Sequence, residues 1–415
     1  MSRLHESGEA VHEALKQAFQ QSGLAQADWL LVFITPQHIA QSARIYDTLQ
    51  KESGTQFISG CSGLGVLSEQ GEIFNEPGMV VMVGQTPDLE VIATCKFQEL
   101  EDSAGVNQQI KEELERFAGE NPLFLFFPDV YQHQPYNFIN MLNYVQSDPM
   151  VFGAGSCDDG SGRISVQFGS EGVVVNGAGG MGFKGVPEFT AGVTQSCKTI
   201  GDPMFVTDFE DDLVLTLDGT PALEVFSRVA SELEFDNLEN AARQLLISFP
   251  LDPEEPKFEG ESSMVRHLTG IDVARQGLQV SQIIEKGTVV SFAYRSAISA
   301  RDDLNAMLKR MKKEKPPSFG IYFNCAARGE ALYGKSDVDI QLIHEQLGDF
   351  PLAGIFGGNV NFTVIPIQIY FWTSEPEHAW HSMAAAASIS LILLLVAMNS
   401  IAIILRQHFR KRLNS

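Results

Sequence analysis

DWLLVFITP at Asp28–Pro36, IAQSARIYDTLQ at 39–50 and FISGCSGLGVL at 57–67 are the stretch on which the fold turns. An apolar run with no alternation reads as a strand buried on both faces. The middle segment has helical periodicity, and the third is a second apolar strand that closes in glycines. The same order returns at NPLFLFFPD (Asn121–Asp129), NFINMLNYVQ and MVFGAGSCDDG, and again at SFGIYFNCA (Ser318–Ala326), VDIQLIHEQL and PLAGIFGGNV. Three copies of one pattern imply a repeated β-α-β module.

Paired strands are expected after the first two copies: GMVVMVG with LEVIATCKF, then RISVQFGSEG with GVVVNGAGGMGF. The fold class is therefore α/β (or α+β), with sheets covered by helices. Glycines at strand ends permit close backbone approach. Ligands in such folds often bind where strand ends meet. Gly60, Gly153 and Gly354 are thus candidate pocket walls.

Residues 1–27 begin with an amphipathic helix and lack the apolar core of a secretory signal. Between the second and third copies, LVLTLDGTPALEVFSRVASEL (Leu213–Leu233) reads strand, Asp-Gly turn, helix. A division near residue 219 gives domains 28–218 and 219–375. FPLDPEEPKFEGESS (Phe249–Ser263) is an acidic loop that a scaffold's partner would contact between Glu254 and Glu261. The helix ARDDLNAMLKRMKKE (Ala300–Glu314) reads as a solvated face.

The chain of 415 residues carries 29 Lys+Arg against 52 Asp+Glu, a net charge of −23. Such a surface repels phosphate backbones, so nucleic acid is not an expected partner. Five scattered cysteines without a C-x-x-C pair argue against a disulfide framework and a zinc ribbon. Residues 383–405, MAAAASISLILLLVAMNSIAIIL, contain no charge and are long enough to span a bilayer. A basic tail, 406–415, follows. The expectation is a single-pass membrane protein with its main domain in the cytoplasm.

Several motifs bear on chemistry. Gly329-Glu-Ala-Leu-Tyr-Gly334-Lys335-Ser336 fits a phosphate-binding loop, yet the strand-end acids that could hold its magnesium, Asp129 and Asp218, lie upstream, and only about 45 residues separate Ser336 from the apolar run, too few for further parallel strands. Cys61, Cys157 and Cys325 sit at strand ends, where a nucleophile would need a base such as His38, His133 or His344. Asp158 and Asp159 are the pair that a cation would choose. Arg328 is an isolated cation beside a glycine turn, able to clamp a carboxylate with two parallel bonds. No metal and no cofactor are implied.

FNCAARGEALYG (323–334), IQLIHEQLGDFPLAGIFG (340–357) and FISGCSGLGVLSEQGEI (57–73) together resemble the FIST domain, with its N-terminal and C-terminal parts. The resemblance spans roughly residues 28 to 360. It implies an intracellular signal-transduction module that senses small ligands, amino acids being the proposed class, and it brings no catalytic residues. One departure is that Gly357-Gly358-Asn359-Val360-Asn361 leads into FTVIPIQIYFW, where the family carries Gly-Glu-Ile-like polar residues. The reading is a non-enzymatic, membrane-anchored sensor whose ligand sits among Gly60, Cys61, Ser62, Asn324, Cys325 and Arg328. The competing readings are a cysteine hydrolase, an NTPase using Gly329–Ser336, and an interaction scaffold.

Overall fold

A computed structural model describes residues 1–86, 90–97, 123–131, 150–169, 172–184, 189–194, 197–250, 256–258, 263–280, 284, 287–325 and 327–358. The chain forms two compact bodies. The first comprises residues 1–198 and 295–360, and the second contains residues 199–294.

The first body opens with α1 (Ser7–Ser22), capped by the Glu6 carboxylate on Glu9 N–H at 2.7 Å and closed by Gly23 in the left-handed region. Ala10, Val11, Ala14, Leu15 and Ala18 form its buried stripe, in one core with Leu30, Val32 and Ile58. β1 (Trp29–Ile34) and β2 (Ile58–Ser62) are parallel and flank α2 (Ser42–Ser53) in sequence; every residue of both strands is buried. A hairpin follows, β3 (Gly65–Ser68) and β4 (Gly71–Phe74), then β5 (Met79–Gly84) returns antiparallel to β1. The next strand is β6 (Glu90–Phe97).

The second repeat contributes β7 (Leu123–Pro128) parallel to β8 (Met150–Gly153), a hairpin of β9 (Val166–Gly169) and β10 (Gly172–Val175), and β11 (Ala178–Lys184). The helix expected between β7 and β8 lies outside the described residues.

The second body is a seven-stranded antiparallel sheet. Its strands are β12 (Cys197–Glu210), β13 (Leu213–Leu217), β14 (Thr220–Pro221), β15 (Leu245–Pro250), β16 (Ser263–Asp272), β17 (Gly277–Val280) and β18 (Val289–Arg295). Helices α3 (Ala222–Glu232) and α4 (Leu238–Gln244) cover it, and Phe226, Phe292, Val214 and Ile247 centre its own core. The Asp218-Gly219 turn, where the sequence suggests a domain division, is a hairpin inside this sheet, with Leu217 opposite Thr220.

The chain then re-enters the first body through α5 (Ala297–Met311). The third repeat is β19 (Gly320–Cys325), the single turn α6 (Glu330–Tyr333), α7 (Val338–Leu347) and β20 (Leu352–Gly357). The α5 helix is only half a solvated face: Ala300 is buried, and Leu304, Met307 and Leu308 are buried in a core with Ile340, Ile343 and Phe356.

Neighbouring strands exchange partners between repeats. Sheet orders in the first body are β10-β9-β2-β1-β5, β6-β11-β7-β8 and β19-β20-β3-β4. The expected pairing of GMVVMVG with LEVIATCKF is thus corrected: β5 pairs with β1 and β6 with β11. The expected hairpin of RISVQFGSEG with GVVVNGAGGMGF is present as β9-β10. Mixed sheets with helices fit an α+β description.

The three repeats are equivalent down to single residues. Val32 opposes Gly60, Phe126 opposes Gly153 and Tyr322 opposes Gly354. A Cβ at any of these glycines would stand 1.8–2.0 Å from the carbonyl oxygen of the opposed residue. These glycines are therefore dictated by strand contact rather than by a pocket wall. Two and four residues after each, the turns lock in a cycle. Leu64 N–H donates to Phe356 O (2.9 Å), Cys157 N–H to Ser62 O (3.1 Å) and Gly358 N–H to Gly155 O (3.0 Å).

The run 383–405 and the tail 406–415 lie outside the described residues, as do most of the acidic loop and His133. Among the described residues, no helix is long and apolar enough to cross a membrane.

Candidate functional site

The six site residues expected from the sequence fall into two groups, each with its own partners. Gly60, Cys61 and Ser62 form the buried end of β2. Ser62 Oγ donates to Cys157 O (2.9 Å) and accepts from Val166 N–H (3.0 Å), so this corner is a junction between repeats.

The cysteines here are poor nucleophiles. Burial drives the Cys61 thiol well up, and burial together with Asp158 pushes Cys157 up to about 12. His38 is buried and its Nδ1 lies 2.9 Å from Ser7 Oγ. Iodoacetamide at neutral pH is therefore expected to leave Cys61 and Cys157 unmodified in the folded protein and to label both after unfolding, as peptide mass mapping would read. Rapid native labelling at Cys61 would revive the hydrolase reading.

Asp158 and Asp159 do not form a cation cradle. Asp158 Oδ1 accepts Gly160 N–H (2.9 Å) and the Tyr131 hydroxyl, and Oδ2 accepts Gly162 N–H (2.9 Å) and Ile164 N–H (3.2 Å). Burial acts to raise this carboxyl, but Tyr131 and those amides hold it below its usual range.

The phosphate-loop motif also folds differently from its pattern. Leu332 and Tyr333 N–H donate to Gly329 O (3.1 and 3.0 Å), and Gly334 N–H donates to Glu330 O (2.8 Å). Amides that would cradle a phosphate are spent on one helical turn.

The second group surrounds a carboxylate that the sequence reading missed. Asp339, fully buried on α7, takes Arg328 Nε at 2.7 Å and Nη2 at 3.4 Å. It also accepts the Tyr322 hydroxyl (2.9 Å), Asn324 Nδ2 (3.2 Å) and the Tyr333 hydroxyl (2.7 Å). Arg328 Nη2 reaches Ala300 O at 3.4 Å, and Nη1 reaches Thr194 Oγ1 at 3.5 Å. The carboxylate clamped by Arg328 is thus the protein's own. Burial pulls the guanidinium down, yet Tyr322, Asp339 and Tyr333 outweigh it and hold Arg328 firmly charged. The Cys325 thiol is approached by Ala327 N–H at 3.5 Å.

Glu72 on β4 faces this cluster. It is 8% exposed, its Oε1 has no hydrogen-bond partner, and Oε2 lies 3.3 Å from where a Cβ on Gly329 would stand. Its backbone N–H donates to Asp337 Oδ1 at 2.7 Å, which holds Asp337 in the left-handed region at φ 66°. Burial pushes the Glu72 carboxyl up to about 7; Asp339 and Asp337 add to this, while the Asp337 amide and Arg328 oppose it.

Between its unfolded value, near 4.5, and about 7, the folded state retains a proton that the unfolded chain has lost. Stability therefore falls as pH rises through that window. Glu72→Gln is expected to remove this slope and to be the more stable protein at the upper end, as urea unfolding across the window would measure. Equal slopes in both proteins would refute the assignment.

Asp339 and Glu72 escaped the sequence reading because each sits inside a short apolar element, VDIQLI and GEIF, where one acid reads as solvent-facing. The usable signal was Tyr322, Asn324, Arg328 and Tyr333, four donors in twelve residues that need an acceptor.

A FIST N domain model matches residues 28–220 and a FIST C domain model matches 222–358. An uncharacterized protein of Mycobacterium tuberculosis is 27% identical over 325 residues, covering 77% of this chain and 82% of the relative. One from Mycobacterium bovis is 26% identical over 333 residues, covering 77% and 81%. The repeats and the Arg328 cluster lie within the matched residues, and the chain belongs to the FIST family, whose domains are sensor domains of signal transduction.

Proposed function

We propose that this protein is a non-catalytic sensor of a small ligand, amino acids or related amines, and that the cluster of Arg328, Asp339, Asn324, Tyr322, Tyr333 and Glu72 responds to it. The observation carrying the proposal is the buried Glu72 carboxyl, whose Oε1 lacks a donor beside a group in which carboxylates outnumber cations. An ammonium group supplies that donor, and burial strengthens such a contact. Its arrival would lower the Glu72 pKa and fix β4 against α7. Ligand binding shifts an equilibrium only by its differential affinity for two states, and protonated and ionised Glu72 provide two such states.

The uncharged run 383–405 supports membrane anchorage through a single span. We place the main domain in the cytoplasm, a topology that runs against the charge rule, since the basic tail 406–415 taken alone favours a cytoplasmic C-terminus. Signalling output would pass to a protein partner. The test is thermal unfolding of the full chain against amino acids, simple amines and nucleotides. One class should raise the transition with concentration, by about 2.7 kcal/mol at a hundredfold excess over Kd, and Glu72→Gln should abolish the rise. ATP turnover sensitive to Lys335→Ala, or no shift with any amine, would defeat the proposal.

A further inference from the structure

The end of α5 and the connector to β19 read KRMKKEKPPSF, residues 309–319. Lys309, Arg310, Lys312, Lys313 and Lys315 stand here against one acid, Glu314, in a chain whose 52 Asp+Glu far outnumber its 29 Lys+Arg. The last turn of a helix favours cations, which accounts for Lys309 and Arg310. It does not account for Lys313 and Lys315, which lie beyond the helix end at Met311. Every residue from Lys312 to Phe319 is exposed.

Although exposed, the connector is held in one shape. Lys312 leaves the helix at φ −61° and ψ 126°, near the polyproline conformation. Pro316 and Pro317 fix their own φ, and each restricts the residue before it to extended backbone. At the near end, Leu304, Met307 and Leu308 root α5 in its core. At the far end, Phe319 packs on buried Trp29, ring centroids 5.5 Å apart, and Gly320 N–H donates to Pro351 O at 2.9 Å. Between them, Pro316 lies 3.8 Å from where a Cβ on Gly348 would stand. Phe319 still leaves 44% of its surface open to solvent.

Cations along a stretch that ends in prolines and an open aromatic ring have the composition of an interfacial membrane segment. Lysine stems lie along the apolar boundary while their ammonium groups reach lipid phosphates. Pro316 and Pro317 bring no N–H to be desolvated there. A connector already fixed in shape loses little conformational entropy on docking. Acids more than about 8 Å away are largely screened at physiological ionic strength. Those at hand, Glu314 within the stretch and Asp349 next to Gly348, leave the cations in the majority.

We propose that residues 309–319 are a docking surface for an anionic lipid membrane. The contact needs neither the Arg328 cluster nor the run 383–405, so it stands or falls separately from both.

The test is acetylation of lysines in the full chain by a neutral succinimidyl ester, read residue by residue from peptide masses. Vesicles of phosphatidylcholine and phosphatidylglycerol in equal parts are expected to slow acetylation of Lys312 and Lys315 by about fivefold or more. Exposed Lys51 should react as before, because α2 packs on the opposite face of the β1–β2 sheet from β19. Phosphatidylcholine alone should protect neither site, and NaCl at about 0.5 M should release the protection. Lys309→Gln/Lys315→Gln alters two exposed side chains and removes two cations. It should raise the lipid concentration that half-protects Lys312 about twenty-five-fold. No protection by the anionic vesicles, equal protection by phosphatidylcholine, equal protection of Lys51, or an unchanged midpoint in the double variant overturns the proposal. Protection by polyglutamate but not by vesicles would assign the surface to an acidic protein and overturn it too.

Discussion

Gly60→Ala is expected to leave the first body unfolded or close to it. The new Cβ would sit 1.8 Å from Val32 O, inside a strand pair buried on both faces, and Gly60 adopts φ +139°. Neither obstacle is a mobile side chain that can turn away, because the opposing atom belongs to backbone hydrogen-bonded into the sheet. Real contacts of this type do not occur, so β1 and β2 must separate, at a cost on the order of 4 kcal/mol or more. Gly153→Ala and Gly354→Ala meet Phe126 O at 1.8 Å and Tyr322 O at 2.0 Å and should behave alike. Gly54→Ala is the control: its φ is +74° with nothing near the added carbon, so only the left-handed penalty of about 1 kcal/mol applies. Chemical denaturation of the four variants would compare them. A Gly60→Ala protein as stable as Gly54→Ala would mean that the repeats do not share the tight strand contact described.

The second large effect is expected at Asp339. Asp339→Asn strips the charge from the acceptor that holds Arg328, leaving a guanidinium 6% exposed without its counter-ion. Breaking a buried pair from one side typically costs 3–5 kcal/mol, since the remaining charge stays desolvated. Tyr333→Phe removes one donor and keeps the pair, so about 1.5–3 kcal/mol is expected. Arg328→Met/Asp339→Leu should lose less than the two single changes added, because it leaves no lone charge. It should still fall short of wild type, since Tyr322, Asn324 and Tyr333 would all lose their shared acceptor. Additive losses in this cycle would show that Arg328 and Asp339 do not depend on one another.

Much of this architecture was legible because β1, β7 and β20 are flanked by protein on both faces and therefore read as unbroken apolar runs. The parallel β-α-β units and the glycine corners follow from that pattern. The β3-β4 hairpin was missed for the opposite reason. GVLS and GEIF are four residues each, and β3 takes its other partner, β20, from far along the chain. GMVVMVG misled because neighbours in sequence usually pair, whereas β5 turns back to β1. At the candidate site, Arg328 was legible as a carboxylate clamp, but its partner was not. A spacing of eleven residues across two glycines carries no fixed geometry, and only the folded turn at Gly329–Gly334 brings Asp339 under it.

The insertion of the second body between the second and third repeats has a consequence for biosynthesis. β3 cannot find its place until β20 has been made, and Leu64 waits for Phe356 before the three corners close. Residues 199–294 carry a core of their own and owe nothing to that closure. During translation the middle of the chain is thus free to mature first, while the amino-terminal strands emerge early and stay half-assembled. The order of synthesis and the order of folding are therefore different in this protein, and the exposed early strands are the ones a chaperone would meet.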